Sequence, residues 1–257
     1  MNSAQQELIE SGWAALHFLR QDIQQAAYWG CSDNNQVIHN GSNNNMYSPY
    51  FAITGRDDAG INKSDSISIL RAVEPAYPLD QKMQRKSSPI QLKSSSLKTH
   101  QTALITNCMG ADIFTISRKV NNTLFHNQKP DTTGNLSSKL QYIYPLESSV
   151  YLVVHIKYEL RLSNGKPTLY RQYDTGYAQA LLEDIEQMQI LYGENTDSIP
   201  GPERYLPISQ IGDLAQIHSV QITLTVRSNT LIHQSQNNND RLKKTFSTVI
   251  PIYNRLR

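Results

Sequence analysis

Apolar residues recur at three- and four-residue steps at the start of the chain: Leu8, Ile9, Gly12, Trp13, Leu16, Leu19, Ile23, Ala26 and Ala27. Gln5, Gln6, Glu10, Gln21, Gln24 and Gln25 fill the other side. The spacing predicts an amphipathic helix over 3–28 whose one-sided stripe lies against something else. Gly30 is a plausible stop, because glycine readily takes the left-handed conformation that ends helices.

Beyond the helix the period changes to two. Residues 33–45 are an Asn-rich loop, 50–54 a short strand and 56–64 turn chemistry. Residues 66–73 alternate as a half-buried strand does. Residues 75–98 read as a long excursion, with three Pro and a basic second half. Strands follow at 101–107 and 112–117, around Cys108-Met109-Gly110, and again at 119–125; 127–138 is loop. The clearest hairpin runs over 151–163, turns at Asn164-Gly165 and returns over 168–173. Its alternation points Val154, Ile156, Tyr158, Leu160 and Leu162 inward. Residues 178–193 mix both periods and are expected to form a helical turn or two before a strand. Residues 194–208 are Pro- and Gly-rich loop, 218–228 a strongly alternating strand, 229–240 a polar tip and 242–253 the last strand. One helix followed by many antiparallel strands predicts an α+β fold, with long loops and the helix covering one sheet face.

Composition narrows the function classes. The chain has 257 residues, with only 18% charged and 25 Ser, 21 Gln and 20 Asn. Its 24 Lys and Arg against 22 Asp and Glu leave a net charge of +2, which does not support a bulk electrostatic nucleic-acid binder. No apolar run approaches the 18 or so residues of a membrane-spanning helix. The first ten residues carry neither a basic region nor an apolar stretch of the secretory kind.

Candidate chemistry is sparse. His17, His39, His100, His126, His155, His218 and His233 are scattered, with no zinc-type spacing. There is no nucleophile elbow and no phosphate loop, so no enzyme, cofactor or metal site is expected. Asp57, Asp58, Asn62 and Asp65 form one oxygen-rich stretch, and Glu194, Asn195, Asp197 and Glu203 another. Neither has the spacing of a calcium loop, and turn polarity is the simpler reading. Lys82, Arg85, Lys86, Lys93 and Lys98 form an acid-free basic run without interleaved aromatics, which reads as a solvated loop. Four Asn-x-Ser/Thr triplets, starting at Asn40, Asn62, Asn121 and Asn135, are expected by chance in so polar a chain. Cys31 and Cys108 are too far apart for a Cys-x-x-Cys motif. They are either free thiols or a disulfide closing a loop of roughly 78 residues, worth about 4 kcal/mol in an oxidising compartment.

Seven segments together resemble the PilW family of type IV pilus minor pilins. They are QQAAYWGC (24–31), SDSISI (64–69), ITNCMGADIFTIS (105–117), GKPTLYRQY (165–173), LLEDIEQMQILYG (181–193), VQITLTVRS (220–228) and RLKKTFSTVIPIYNR (241–255). They run in family order over nearly the whole chain. The resemblance implies a pilin-like fold, with 1–30 the water-facing half of a long N-terminal helix and 31–257 a β-rich domain forming one unit with it. It implies a leader and about 20 further apolar residues ahead of that half. It also implies oxidation of Cys31 with Cys108.

The function implied is assembly: a non-enzymatic subunit of a minor-pilin complex that primes pilus growth and stays near the tip. Motility, adhesion and DNA uptake lie downstream. The implied partners are other minor pilins, the major pilin, an adhesin at the tip and the inner membrane through the apolar segment, with no specific nucleic acid. The implied location is the periplasmic side of the inner membrane of a Gram-negative bacterium, then the extracellular pilus. Trp13, Leu16, Leu19 and Ile23 are expected to hold the sheet, with Leu8 and Ile9 exposed to partners. Two other readings are a type II secretion minor pseudopilin and a periplasmic glycan- or peptide-binding module.

Overall fold

The computed structural model describes residues 3–32, 37–129, 131, 134–197, 201–231 and 241–256. The expected 33–45 loop lies partly outside these residues, as do the 229–240 tip and His233. The described residues form an α+β fold with one α-helix and mostly β structure. In chain order they are α1 (Ser3–Ile23), β1 (Ile38–Asn40), β2 (Ile53–Arg56), β3 (Ser66–Pro78), β4 (Ile90–Gln91), β5 (Thr102–Thr106), β6 (Ala111–Thr115), β7 (Arg118–Val120), β8 (Thr123–Phe125), β9 (Ser149–Ser163), β10 (Lys166–Tyr173), β11 (Gln179–Glu183), β12 (Ile185–Glu194), β13 (Arg204–Leu206), β14 (Ile217–Leu231) and β15 (Arg241–Pro251).

Several expectations are corrected. The helix stops at Ile23 and not near 28: Gln25 and Ala26 close tight turns onto Asp22 and Ile23, and Ala27 turns left-handed at φ 59°. The amide of Ala27 then bonds the Leu70 carbonyl, so β3 takes the backbone that the helix would have used. Residues 178–193 hold no helical turn. They are two strands, β11 and β12, hinged at Asp184, whose φ is 61°. Pairing wins over the helical period because Met188, Ile190 and Tyr192 alternate into the core, while Asp184 accepts both the backbone amide and Nε of Arg227. Pro49 opens a short 3-10 turn, so the strand expected at 50–54 starts only at Ile53. The 75–98 excursion begins later, because β3 continues to Pro78, and β4 lies within it. Residues 119–125 hold two short strands turning at Asn121, and the 194–208 loop contains β13. Leu162 is exposed: it sits opposite Pro167, beside the Asn164-Gly165 turn at the tip of its hairpin.

The chain divides into two compact units. The first holds Met1–Ala26, Ile53–Ile69 and Ile156–Arg257, the second Ala27–Ala52 and Leu70–His155. In the first unit, β2 pairs with the start of β3, β9 with β10 through the Asn164-Gly165 turn, and β10 with β11. A separate four-stranded antiparallel sheet has the order β13-β12-β14-β15. Val220, Ile222, Leu224 and Val226 of β14 are buried while the residues between them are half-exposed, the period-two pattern of a sheet covered on one face. The cover is α1, which packs on β14 and β15. Leu8, Ala15, Leu16, Leu19 and Ile23 are its buried stripe. The other flank of the helix is pinned by buried Asp22, which accepts the Tyr158 hydroxyl of β9 at 2.6 Å, with the Arg171 guanidinium 3.8 Å away. Burial, then the Asp22 carboxylate, holds the Tyr158 hydroxyl well above the ordinary tyrosine range.

In the second unit, β1 pairs parallel to β6, β6 antiparallel to β5, and β5 antiparallel to the start of β9; β4, β8 and β7 form a small sheet. One apolar cluster includes Phe114, Ile105 and Tyr144, another Trp29, Ile113 and Leu104. Polar groups anchor the loops around them. Asp112, fully buried on β6, accepts the backbone amides of Gln141 and Tyr142, the Tyr144 hydroxyl at 2.8 Å and a ring nitrogen of His39 at 3.0 Å. Asn135 bonds both backbone groups of Thr115 as an extra strand would, and its burial leaves that triplet unable to carry a glycan.

His126 packs edge-on against Phe114 and donates from Nε2 to the Ser88 carbonyl at 3.0 Å. Burial lowers its pKa, opposed in part by that bond and by the Asp112 charge. The folded protein therefore binds this proton less readily than the unfolded chain. Stability from this residue is complete at neutral pH and is lost as pH falls below the ordinary histidine range, by at most about 1.4 kcal/mol per pH unit. Urea denaturation at about pH 7 and about pH 5 is expected to show a smaller acid loss in His126→Gln than in the parent protein. An equal loss in both would assign the acid sensitivity elsewhere.

Candidate interaction surface

The helix stripe points outward as well as inward. The angular period puts Leu8, Gly12, Leu19 and Ile23 on the core side and Gln6, Glu10, His17 and Gln21 on the far side. Between them lies a flank of Ile9, Trp13, Leu16 and Arg20 that faces β15. The expected division of labour along the helix is partly reversed. Leu8 is 3% exposed and belongs to the core, whereas Trp13 is 58% exposed. Ile9 is half-buried, and Leu16, Leu19 and Ile23 are buried as expected.

The period explains the reversal: Leu8 lies on the core side and Trp13 on the flank, next to Gly12, where Phe246 of β15 comes close to α1. A Cβ there would come within 2.4 Å of the Phe246 ring, so only glycine leaves room for the ring. Phe246 fills that space, and Trp13, on the flank, sets its ring edge-on to Phe246 at 6.1 Å. The seam continues along the helix. Arg20 donates to the Thr248 hydroxyl at 2.7 Å, and Gln24 to the Tyr253 hydroxyl at 2.9 Å. A shallow pocket of about 260 Å³ opens at one end, lined by Gln5, Leu8, Ile9, Leu242, Lys243 and Lys244. A broader depression of about 570 Å³ runs past Trp13, Ala14, Leu16, His17 and Arg20. Lys244 lies over the Phe246 ring at 5.6 Å.

The remaining candidates are placed as follows. Cys31 and Cys108 form a disulfide, with Cα atoms 4.8 Å apart. Its surroundings are polar: the Thr106 hydroxyl accepts the Cys108 amide, donates to the Gly110 carbonyl and bonds Ser32 at 2.7 Å. The oxygen-rich stretches spend their carboxylates on the protein itself. Asp57 accepts the amides of Ile208 and Ser209, and Asp65 those of Asp58 and Ile190. Glu203 accepts Thr196, and Glu194 pairs with Arg204. Burial, then the charges of Asp57 and Asp58, raises the Asp65 pKa against those amide bonds. Among the described residues, no group of three His, Cys, Asp or Glu is arranged to hold a metal ion. Lys82, Arg85, Lys86, Lys93 and Lys98 are all exposed in the second unit around β4. Among the described residues, no helix is long and apolar enough to cross a membrane.

Sequence reasoning missed Phe246, Lys244 and Thr248 as parts of the seam. The signal was the alternation of β15, which sets Leu242, Lys244, Phe246, Thr248 and Ile250 on one face. What it lacked was the pairing of that face with a helix more than 200 residues earlier.

Residues 158–254 match the family described as Type IV Pilus-assembly protein W. The match starts inside β9 and runs through β15, so it includes both strands that carry α1. The match covers less than half of the chain, and the likeness points to type IV pilus assembly in the bacterial envelope. No curated protein and no solved structure matches the chain.

Proposed function

We propose that this chain is a minor pilin of the PilW type, acting by assembly without making or breaking bonds. The observation that carries the reading is the one-sided helix. Its buried stripe holds the four-stranded sheet of the family-matched region, and its other side, with Trp13 at the edge, is left to neighbours. On this reading residues 1–30 are the water-facing part of the pilin helix and 31–257 the pilin domain. The protein is held at the inner membrane through a segment ahead of α1, joins other minor pilins in a priming complex, and is then carried with the major pilin to the tip region of the pilus. An adhesin at the tip is a further neighbour, and motility, adhesion and DNA uptake follow from fibre growth.

The test is co-purification of this chain with the soluble domains of the other minor pilins of its own pilus system, singly and in combination. A stable complex with at least one is expected, together with loss of surface pili when the gene is deleted. Binding to none, with normal piliation in the deletion strain, would overturn the reading. Capture of pseudopilins instead would move the protein to type II secretion.

A further inference from the structure

The outer edge of β15 is left unpaired. Among the described residues β15 ends its sheet, and no strand bonds its outer side. Proteins commonly blunt such edges with lysine or proline, and β15 carries Lys243, Lys244 and Pro251. Blunting alone does not account for what lies beside it. The helix flank beside this edge carries Ile9, which lines a pocket with Leu242, Lys243 and Lys244, and Trp13. Trp13 stays 58% exposed with its edge on Phe246. A strand added at β15 would set alternate side chains against Trp13 and Phe246 and remove that apolar surface from water.

Charge narrows what such a strand carries. Arg241–Pro251 contains three cations and no acid. Two of the cations are engaged: Lys243 with Glu186 at 2.7 Å, and Arg241 with the carbonyls of Ser228 and Asn229. Lys244 has no carboxylate partner among the described residues, and neither does Arg20, which reaches Thr248. Lys244, Phe246 and Thr248 are successive residues on one face, so the two cations bracket the aromatic pair at the spacing of alternate strand positions.

We infer that β15 accepts a β-strand from another pilus-assembly subunit, with an acid–x–apolar–x–acid alternation. The apolar residue seats against Trp13 and Phe246, and the acids face Lys244 and Arg20. The source of the strand rests on the minor-pilin reading; the shape and charge of its seat do not.

The experiment measures amide exchange of the whole chain alone and mixed with each minor-pilin soluble domain of the same system. Binding is expected to slow exchange at the alternate β15 amides that do not bond β14. Trp13→Ala and Lys244→Glu are each expected to weaken binding at least about tenfold, while Tyr177→Ala, at a fully exposed turn, leaves it unchanged. Should Trp13→Ala fail to fold, Lys244→Glu carries the test, since Lys244 is exposed and has no structural ion pair. A complex that leaves β15 exchange unchanged overturns strand addition while the minor-pilin reading stands. Binding to no subunit overturns both. Protection of β15 in the chain alone, with a dimer in sedimentation, overturns the acidic-partner strand in favour of a second copy.

Discussion

Replacing Asp112 with alanine is expected to destabilise the protein by about 4 kcal/mol, near the upper end for a single substitution. The carboxylate is fully buried and accepts two backbone amides and the Tyr144 hydroxyl. Each buried donor left without an acceptor costs about 1–3 kcal/mol, because the group lost its water on folding and gains nothing in return. Burial, then the Asp112 charge, holds the Tyr144 hydroxyl well above the ordinary tyrosine range, so at neutral pH it is a donor. Asp112→Asn keeps one acceptor oxygen and is expected to cost about half as much. Urea denaturation measures the loss, and amide exchange locates it at Gln141 and Tyr142. A loss under about 1 kcal/mol in the alanine variant would mean that the loop finds other acceptors.

The second large effect is at the disulfide. Cys31 and Cys108 are 77 positions apart, so their bond removes much freedom from the unfolded chain. On the chain-entropy account its loss costs about 4 kcal/mol, or roughly 10 °C in melting temperature for a chain of this size. The double variant Cys31→Ser, Cys108→Ser is expected to melt lower by that amount and to be indifferent to reductant, whereas the parent protein falls to the same level when reduced. The Ser32–Thr106 bond remains in the variant, so the β5–β6 turn keeps a local tether. Two titratable thiols in the native protein would remove the premise.

Both sites rest on contacts that local pattern does not reveal. The strands β5, β6, β9, β10 and β14 were legible because alternation and the Asn-Gly turn act within a few residues. The helix was legible for the same reason, though its end was not, since β3 decides it through a bond from Ala27 to Leu70. Residues 178–193 misled because their apolar spacing fits either period until neighbours arrive, and β10 and β14 supply the pairing. Asp112 read as one polar residue in a strand. Nothing near it in sequence announces that the loop at 141–144 folds back to donate to it.

What the sequence determined by itself was the α+β composition, the helix stripe, most strand positions and the resemblance that agrees with the match over 158–254. These follow from short-range periodicity and from segment order. The tertiary structure alone decided what the outer flank of the stripe meets. Leu8 is buried against the sheet, while Trp13, on the flank, meets the edge of Phe246, which enters where Gly12 leaves room. Phe246 stands more than 200 residues away, and a contact made at that distance leaves no mark in the pattern around Trp13 itself.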